Sequence, residues 1–190
     1  MAHYDLTLLR KAEIEETLLS MMQEVPYEQI SVKSLTDKLT IARKTFYHYY
    51  PSKQACLESL IDRIILECNL HLMTLPETTS LEDLYRERLH FWIAHKPFLD
   101  AVIRNELRSL LVERILLCVF REDNTLPLYL STEELACDED VLFYYISGQV
   151  CLMLKWCAEG FTRPIDEMVR KNLRLVHQPL LSHEMELCKQ

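Results

Sequence analysis

The sequence predicts an all-α fold, and three observations carry that prediction. Two Gly and seven Pro in 190 residues are too few for a loop-rich or all-β chain, because tight turns draw on Gly. Long stretches are rich in Leu, Glu and Lys/Arg, which favour helix. Apolar residues recur at three- and four-residue spacing, the signature of one buried helix face. Apolar residues make up 49% of the chain, enough for a sizeable core in one large or two small domains.

The first helix is expected over Asp5 to Glu24. Ile14, Leu18, Met21, Met22 and Val25 form its apolar stripe, with Glu13, Glu15, Glu16, Gln23 and Glu24 mostly outside. Pro26-Tyr27 ends it, and Tyr27 is expected to pack on a small core. Ser31 then caps a short helix, its hydroxyl accepting from a free N–H of the next turn. Val32, Leu35 and Leu39 give that helix one apolar face. Lys38 to Ala42 is a turn, and a second short helix runs from Ala42 to about Tyr49. Phe46 and Tyr50 lie on one side of it, leaving Arg43, Lys44, Thr45, Tyr47, His48 and Tyr49 for the other side and the ends. Pro51 breaks the helix. Ser52 caps the next one, with Lys53 in its first turn, and this longer helix reaches about Thr74 with Leu57, Leu60, Ile61, Ile64, Ile65 and Cys68 as apolar positions.

Leu75 to Ser80 is a linker whose last residue caps a helix to about His95, with Asp83 in capping-box position. Lys96-Pro97 interrupts, and Phe98 to Phe120 is one kinked helix or two. Asp123 to Leu130, around Pro127, is a second linker. Either Ser131 with Glu134 or Asp138 to Asp140 starts the next helix. From Val141 to Cys157 this helix is apolar almost all round, which calls for burial on every side. A 190-residue monomer arranges that with difficulty; a dimer interface solves it, with Gly148 allowing close helix approach. Glu159-Gly160 ends the helix. Pro164 opens a last amphipathic helix, with Ile165, Val169, Leu173, Val176 and Leu180 opposite Glu167, Arg170, Lys171 and Arg174, and Pro179 kinks or ends it.

The net charge of −8 is unevenly placed. Met1 to Ala55 holds seven basic and seven acidic residues, and Cys56 to Gln190 fourteen basic and twenty-two acidic. An acidic body would repel a polyanion and help to orient a neutral domain toward it. The seven cysteines, at 56, 68, 118, 137, 151, 157 and 188, form no Cys-x-x-Cys pair and sit mostly in apolar stretches. They read as buried thiols of a reducing cytosol. His90 and His95 are five residues apart, and His177 and His183 six, so neither pair shares a helix face for metal binding. Neither a metal nor a cofactor is expected, nor a signal peptide, and no run approaches the roughly 18–20 apolar residues of a membrane span. An enzyme is not expected either, because no glycine-rich phosphate loop, G-x-S-x-G or H-E-x-x-H is present.

The stretch from Ile30 to Lys53 carries the sharpest signal. Two helices packed through a few apolar residues, the second turning basic, aromatic and hydroxyl groups outward, have the layout of a helix-turn-helix. Five Lys or Arg stand against one Asp there, an excess that suits a phosphate backbone. A charged helical hairpin with a solvated face has the same pattern.

The run YEQISVKSLTDKLTIARKTFYHYYPSKQACL resembles the DNA-binding domain of the TetR family of bacterial transcriptional regulators. The resemblance rests on Tyr27, Ile30-Ser31-Val32, Leu35, Ile41, Thr45-Phe46-Tyr47, Tyr50, Ser52-Lys53 and Leu57. It departs at Leu39-Thr40, where the family has a small residue and then Gly, and at Ala42, where Ser or Thr is usual. It implies a three-helix DNA-binding domain over residues 1–52, with a connecting helix from 52, and a helical regulatory and dimerisation domain over 53–190. Arg43, Lys44 and Thr45 are then expected to enter or border the major groove, with Arg43 suited to bidentate guanine reading. Tyr47, His48, Tyr49 and Lys53 are expected on phosphates or base edges, Lys44 and Lys53 on phosphates in particular. Ser31 and Lys33 complete the DNA-binding set. WCAEGFTRPIDEMVRKNL also loosely resembles a C-terminal domain of a TetR subgroup, whose last two helices pair with their copies.

The resemblance thus implies a cytoplasmic, homodimeric repressor of a palindromic operator in double-stranded DNA. Its dimer would form through helices at about 138–160 and 164–180, and a small-molecule effector would be sensed in the body. Phe91, Trp92, Tyr144, Tyr145, Met153 and Trp156 are candidates for the wall of a ligand pocket, although such residues at helical spacing also build plain core. The alternative is a helical DNA-binding scaffold, or a regulator controlled by a protein partner, since one fold hosts many sites.

Overall fold

The computed structural model describes residues 2–119 and 139–177. Within them all regular structure is helical, in the order α1 (Ala2–Glu24), a 3-10 turn (Tyr27–Gln29), α2 (Val32–Leu39), α3 (Arg43–Tyr49), α4 (Lys53–Met73), α5 (Leu81–Ala94), α6 (Lys96–Arg104), α7 (Arg108–Val119), α8 (Glu139–Ala158) and α9 (Ile165–His177). The all-α expectation holds. The expected capping box at Ser131 and Glu134, the second linker, and Leu180 and Pro179 lie outside the described residues.

The chain forms two compact units, one of residues 1–67 and 96–118, the other of 68–95 and 119–190. In the first, α1 buries Ile14, Leu18, Met21 and Met22, α2 buries Leu35, α3 buries Phe46, and α4 buries Leu57, Leu60, Ile61, Ile64 and Ile65. Each such side chain contributes about 1.5–3 kcal/mol on leaving water. The expected stripe of α1 is therefore correct except at two edges. Val25 is exposed, being past the helix end. Glu15, placed among the outward acids by its charge, is only 2% exposed.

The stretch from residue 98 resolves into two helices. They meet at Glu106, whose φ of 56° is left-handed, and the Leu107 N–H donates back to the Val102 carbonyl at 2.9 Å. Pro97 stands in the first turn of α6, where its missing N–H costs no hydrogen bond. α6 is fastened to α1. Gln23 Nε2 donates to the Pro97 carbonyl at 2.6 Å, and the Arg104 guanidinium donates to the Gln23 carbonyl. Arg114 of α7 grips Asp62 of α4 through two guanidinium nitrogens.

In the second unit a cluster of Tyr85, Leu89, Trp156, Met168 and Val169 draws α5, α8 and α9 together. Trp156 is fully packed, its Nε1–H donates to the Arg163 carbonyl at 3.1 Å, and Phe161 meets it edge-on at 4.8 Å. Gly160 and Phe161 both have positive φ, 73° and 57°, so the chain leaves α8 sharply, as the glycine stop predicts. The expectation that α8 is buried all round is not met within one chain. Val150, Met153, Leu154, Trp156 and Cys157 are buried, but Phe143, Tyr144, Gly148 and Cys151 are exposed. No atom lies within 4 Å of where a Cβ on Gly148 would stand.

Candidate nucleic-acid interface

The geometry of α2 and α3 follows from their capping residues. Ser31 caps α2 as expected. Its Oγ accepts from the Ser34 N–H at 3.0 Å, and Ser34 Oγ accepts from the Ser31 N–H at 3.0 Å, so two free amides are satisfied reciprocally. Thr36, buried in the middle of α2, returns its hydroxyl to the Val32 carbonyl at 2.9 Å. The helix ends at Thr40 with φ 55° and ψ 41°, a left-handed residue without the freedom of glycine. The Ile41 N–H reaches back to the Thr36 carbonyl at 3.0 Å and closes the turn.

α3 starts at Ala42 with no side-chain cap. Its seven residues are oriented by Phe46, fully buried, and by Tyr50, buried one turn on at its C-terminal end. The rings of Phe46 and Tyr50 lie 5.9 Å apart. With those two inward, Arg43, Lys44, Tyr47 and His48 are exposed, as two i, i+4 pairs on one side of the helix. Thr45 and Tyr49 are partly buried at its edges. Tyr47 is 47% exposed and touches Phe46 edge-on at 5.5 Å, so it stands on the outer face with one edge on the core. His48 and Tyr49 meet edge-on at 5.0 Å. Ser31 and Lys33 are exposed at the start of α2. Among the nine expected DNA-binding residues, four thus share the outer face of α3.

Lys53 is placed differently from the others. Its ammonium donates to the carbonyls of Tyr27 and Ile30, both at 2.7 Å, and stands 3.8 Å from the Tyr27 ring centre. Burial lowers its pKa, with Glu28 opposing. Burial also pushes the Tyr27 hydroxyl up to about 12, helped by the charge of Glu28. Ser52 caps α4 by accepting from the Ala55 N–H at 3.0 Å.

Sequence reasoning missed the groups that hold this face from behind. Glu15 Oε1 accepts from the Tyr50 hydroxyl at 2.6 Å and from Ser59 Oγ at 2.7 Å, and Oε2 accepts from Arg63 Nε at 2.6 Å. A signal was present. Glu15 stands three residues before Leu18 and seven before Met22, in register with the buried stripe.

The residues expected around a ligand differ in burial. Tyr145 packs against the cluster that holds Trp156, Trp92 and Met153 are buried, and Tyr144 is 69% exposed. Phe91 stacks on His95 at 4.0 Å and faces His71 at 6.1 Å. Among the described residues, no group of three or more His, Cys, Asp or Glu could hold a metal ion, and no helix is long and apolar enough to cross a membrane.

Comparison with known proteins agrees with this geometry. Residues 16–60, from the middle of α1 through the first turns of α4, match the family described as "Bacterial regulatory proteins, tetR family". The chain is 36% identical over 80 residues to the HTH-type transcriptional regulator EthR of Mycobacterium tuberculosis, and equally to that of Mycobacterium bovis, spanning 40% of this chain and 37% of each relative. The EthR of Mycolicibacterium smegmatis is 43% identical over 56 residues, 30% of this chain and 26% of that protein. The likeness therefore covers between about a quarter and little more than a third of these relatives. It is the helix-turn-helix domain, built as described, that this chain shares with the TetR family of bacterial regulatory proteins.

Proposed function

We propose that this chain is a transcriptional regulator that binds double-stranded DNA as a homodimer, most simply as a cytoplasmic repressor released by a small-molecule effector. The observation that carries the reading is the outer face of α3. Arg43, Lys44, Tyr47 and His48 point out together from a helix whose opposite side is locked by Phe46 and Tyr50. A short helix so presented fits the major groove, where Arg reads guanine through two hydrogen bonds and Lys neutralises phosphate. Lys33 and the Ser31 hydroxyl at the start of α2 suit the flanking backbone, which fixes register without carrying sequence information. A homodimer would set two such helices about 34–36 Å apart on a palindrome. The exposed apolar side of α8, with Phe143 and Tyr144, supports pairing through α8 and α9.

The test is selection of bound duplexes from a random pool at stated salt, beside the Arg43→Ala, Lys44→Ala double variant. A palindromic motif that disappears with the variant is the expected result. No enrichment by a folded dimer would sink the reading.

A further inference from the structure

The recognition helix is held unevenly. Its N-terminal end follows a left-handed Thr40 and an uncapped Ala42. Its C-terminal end runs into Tyr50, whose hydroxyl donates to Glu15 Oε1 at 2.6 Å. That carboxylate sits between three elements. It receives Tyr50 from the end of α3, and Ser59 and Arg63 from α4, while its own backbone belongs to α1. Arg63 is itself shared, reaching Glu16 at 2.5 Å and Glu67 at 2.8 Å. Burial disfavours its charge, but the hydrogen bonds to Glu15, Glu16 and Glu67 outweigh burial and hold the guanidinium protonated.

A buried carboxylate is costly unless it is paired and hydrogen-bonded, and a well-packed apolar residue would often hold the helices as firmly. Ile14 and Leu18 already pack α1 into the core with Leu60, Ile61 and Ile64 of α4. What the polar network adds is direction. Hydrogen bonds to one carboxylate define a position and an angle, which apolar contacts do not.

We propose that Tyr50 and Glu15 are positioning residues for DNA reading, with Arg63 holding Glu15 in place. Together they set the pose of α3, and through it the discrimination between sequences rather than the general attraction to DNA. This rests on the DNA-binding reading above. The separation between the two effects is physical. Base-edge contacts need groups held within about 0.5 Å, whereas attraction to phosphates acts over a screening length of roughly 10 Å.

Tyr50→Phe in the full chain tests this, because it removes one oxygen and leaves the ring on Phe46, and leaves Glu15 with Ser59 and Arg63. In the free protein, amide hydrogen exchange in α3 should rise about tenfold or more, as for one lost hydrogen bond to a charged acceptor, while α1 and α4 keep their protection. Affinity for the selected duplex should fall by a similar factor, and affinity for an unrelated duplex at the same salt should stay within about twofold. Ser59→Ala removes another donor to Glu15 and only a 3.5 Å contact with the Tyr50 hydroxyl, while the 2.6 Å Tyr50–Glu15 bond stays, and should lower the ratio of the two affinities much less than Tyr50→Phe. Equal weakening of both duplexes, an unchanged ratio in Tyr50→Phe, or a ratio lowered as much by Ser59→Ala would each overturn the proposal. If the unaltered protein selects no duplex, the DNA reading itself fails and discrimination falls with it. The exchange measurement, which needs no DNA, still reports whether Tyr50 holds α3, so the two failures are distinguishable.

Discussion

The ammonium of Lys53 is held at 2.7 Å by each of the Tyr27 and Ile30 carbonyls and stands 3.8 Å from the centre of the Tyr27 ring. One side chain from the first turn of α4 therefore fastens the turn that leads into α2. Asn105 Oδ1 accepts the Tyr27 N–H at 2.5 Å and fixes the same turn from the loop after α6. The entry to the helix-turn-helix is thus set by two polar side chains, both from later in the sequence.

This arrangement separates two roles for Lys53. A phosphate contact contributes about 0.9 to the slope of log affinity against log salt. If the ammonium serves the carbonyls, Lys53→Met leaves that slope unchanged and lowers stability by about 1–2 kcal/mol, the net worth of two such hydrogen bonds in a half-exposed site. Lys44→Met, at an exposed position on α3, should reduce the slope by nearly one with little change in stability. Binding isotherms at four salt concentrations and urea unfolding measure both. A slope reduced by nearly one in Lys53→Met would return this residue to the phosphates.

Thr40 and Ala42 are departures that leave room for improvement. Thr40 occupies the left-handed region at φ 55°, which costs a residue with a Cβ roughly 1–2 kcal/mol relative to glycine. Ala42 leaves α3 without a side-chain cap, where Ser or Thr contributes about 1 kcal/mol. Thr40→Gly and Ala42→Ser should each raise the urea midpoint, by amounts equivalent to about 0.5–1.5 kcal/mol. The glycine gain is reduced by the greater freedom it gives the unfolded chain. An unchanged midpoint in both would mean that the turn carries no strain.

Much of this was legible in the sequence because it depends on local chemistry. Ser31 and Ser80 were readable as caps, Phe46 and Tyr50 as the inner side of α3, and Gly160 as the stop of α8, since each signal lies within one or two turns of its effect. The left-handed turn at Thr40 was signalled instead by the resemblance, which has Gly at that position. Glu15 was not legible, because its partners Tyr50, Ser59 and Arg63 lie 35, 44 and 48 residues away. A lone Glu is more often solvated than buried. The partners of Lys53 were hidden in a similar way. The carbonyls that its ammonium meets come from 23 and 26 residues earlier.

Buried thiols give the stability a definite dependence on pH. Burial, with the charge of Glu15 adding to it and Lys11 opposing, pushes the Cys56 thiol from 9.0 up to about 12. Burial, with Arg88 opposing, moves Cys68 from 9.0 to about 12. A raised folded-state pKa means that stability is fully present below pH 9, where both states keep the proton. It is lost as pH rises toward 12, because the unfolded chain ionises first. Each thiol contributes a fall of up to about 1.4 kcal/mol per pH unit in that window. Lys53 acts in the opposite sense, since its lowered pKa is a penalty present at low pH that fades as pH rises to 10.5. Urea unfolding between pH 8 and 10.5 should therefore show a net loss of stability, and Cys56→Ala should flatten it. A curve equally steep with and without Cys56 would show that its thiol does not ionise differently in the two states.

The exposed side of α8 makes the last prediction. Phe143 is 56% exposed and Tyr144 69%, on a helix that also leaves Gly148 and Cys151 uncovered. A contiguous apolar strip of this kind on one chain marks a contact surface, and the proposed homodimer would cover it with α8 and α9 of a second copy. Phe143→Glu with Tyr144→Glu places two charges where that copy must desolvate them, a cost of several kcal/mol per dimer. Neither side chain belongs to the cluster around Trp156, so the single chain should keep its helical content and its Trp fluorescence. Sedimentation velocity is expected to show a dimer for the unaltered protein and a monomer for the variant. A variant that remains dimeric would move the proposed interface away from α8. An unaltered protein that sediments as a monomer at tens of micromolar would remove the homodimer from the functional proposal, and with it the palindromic operator.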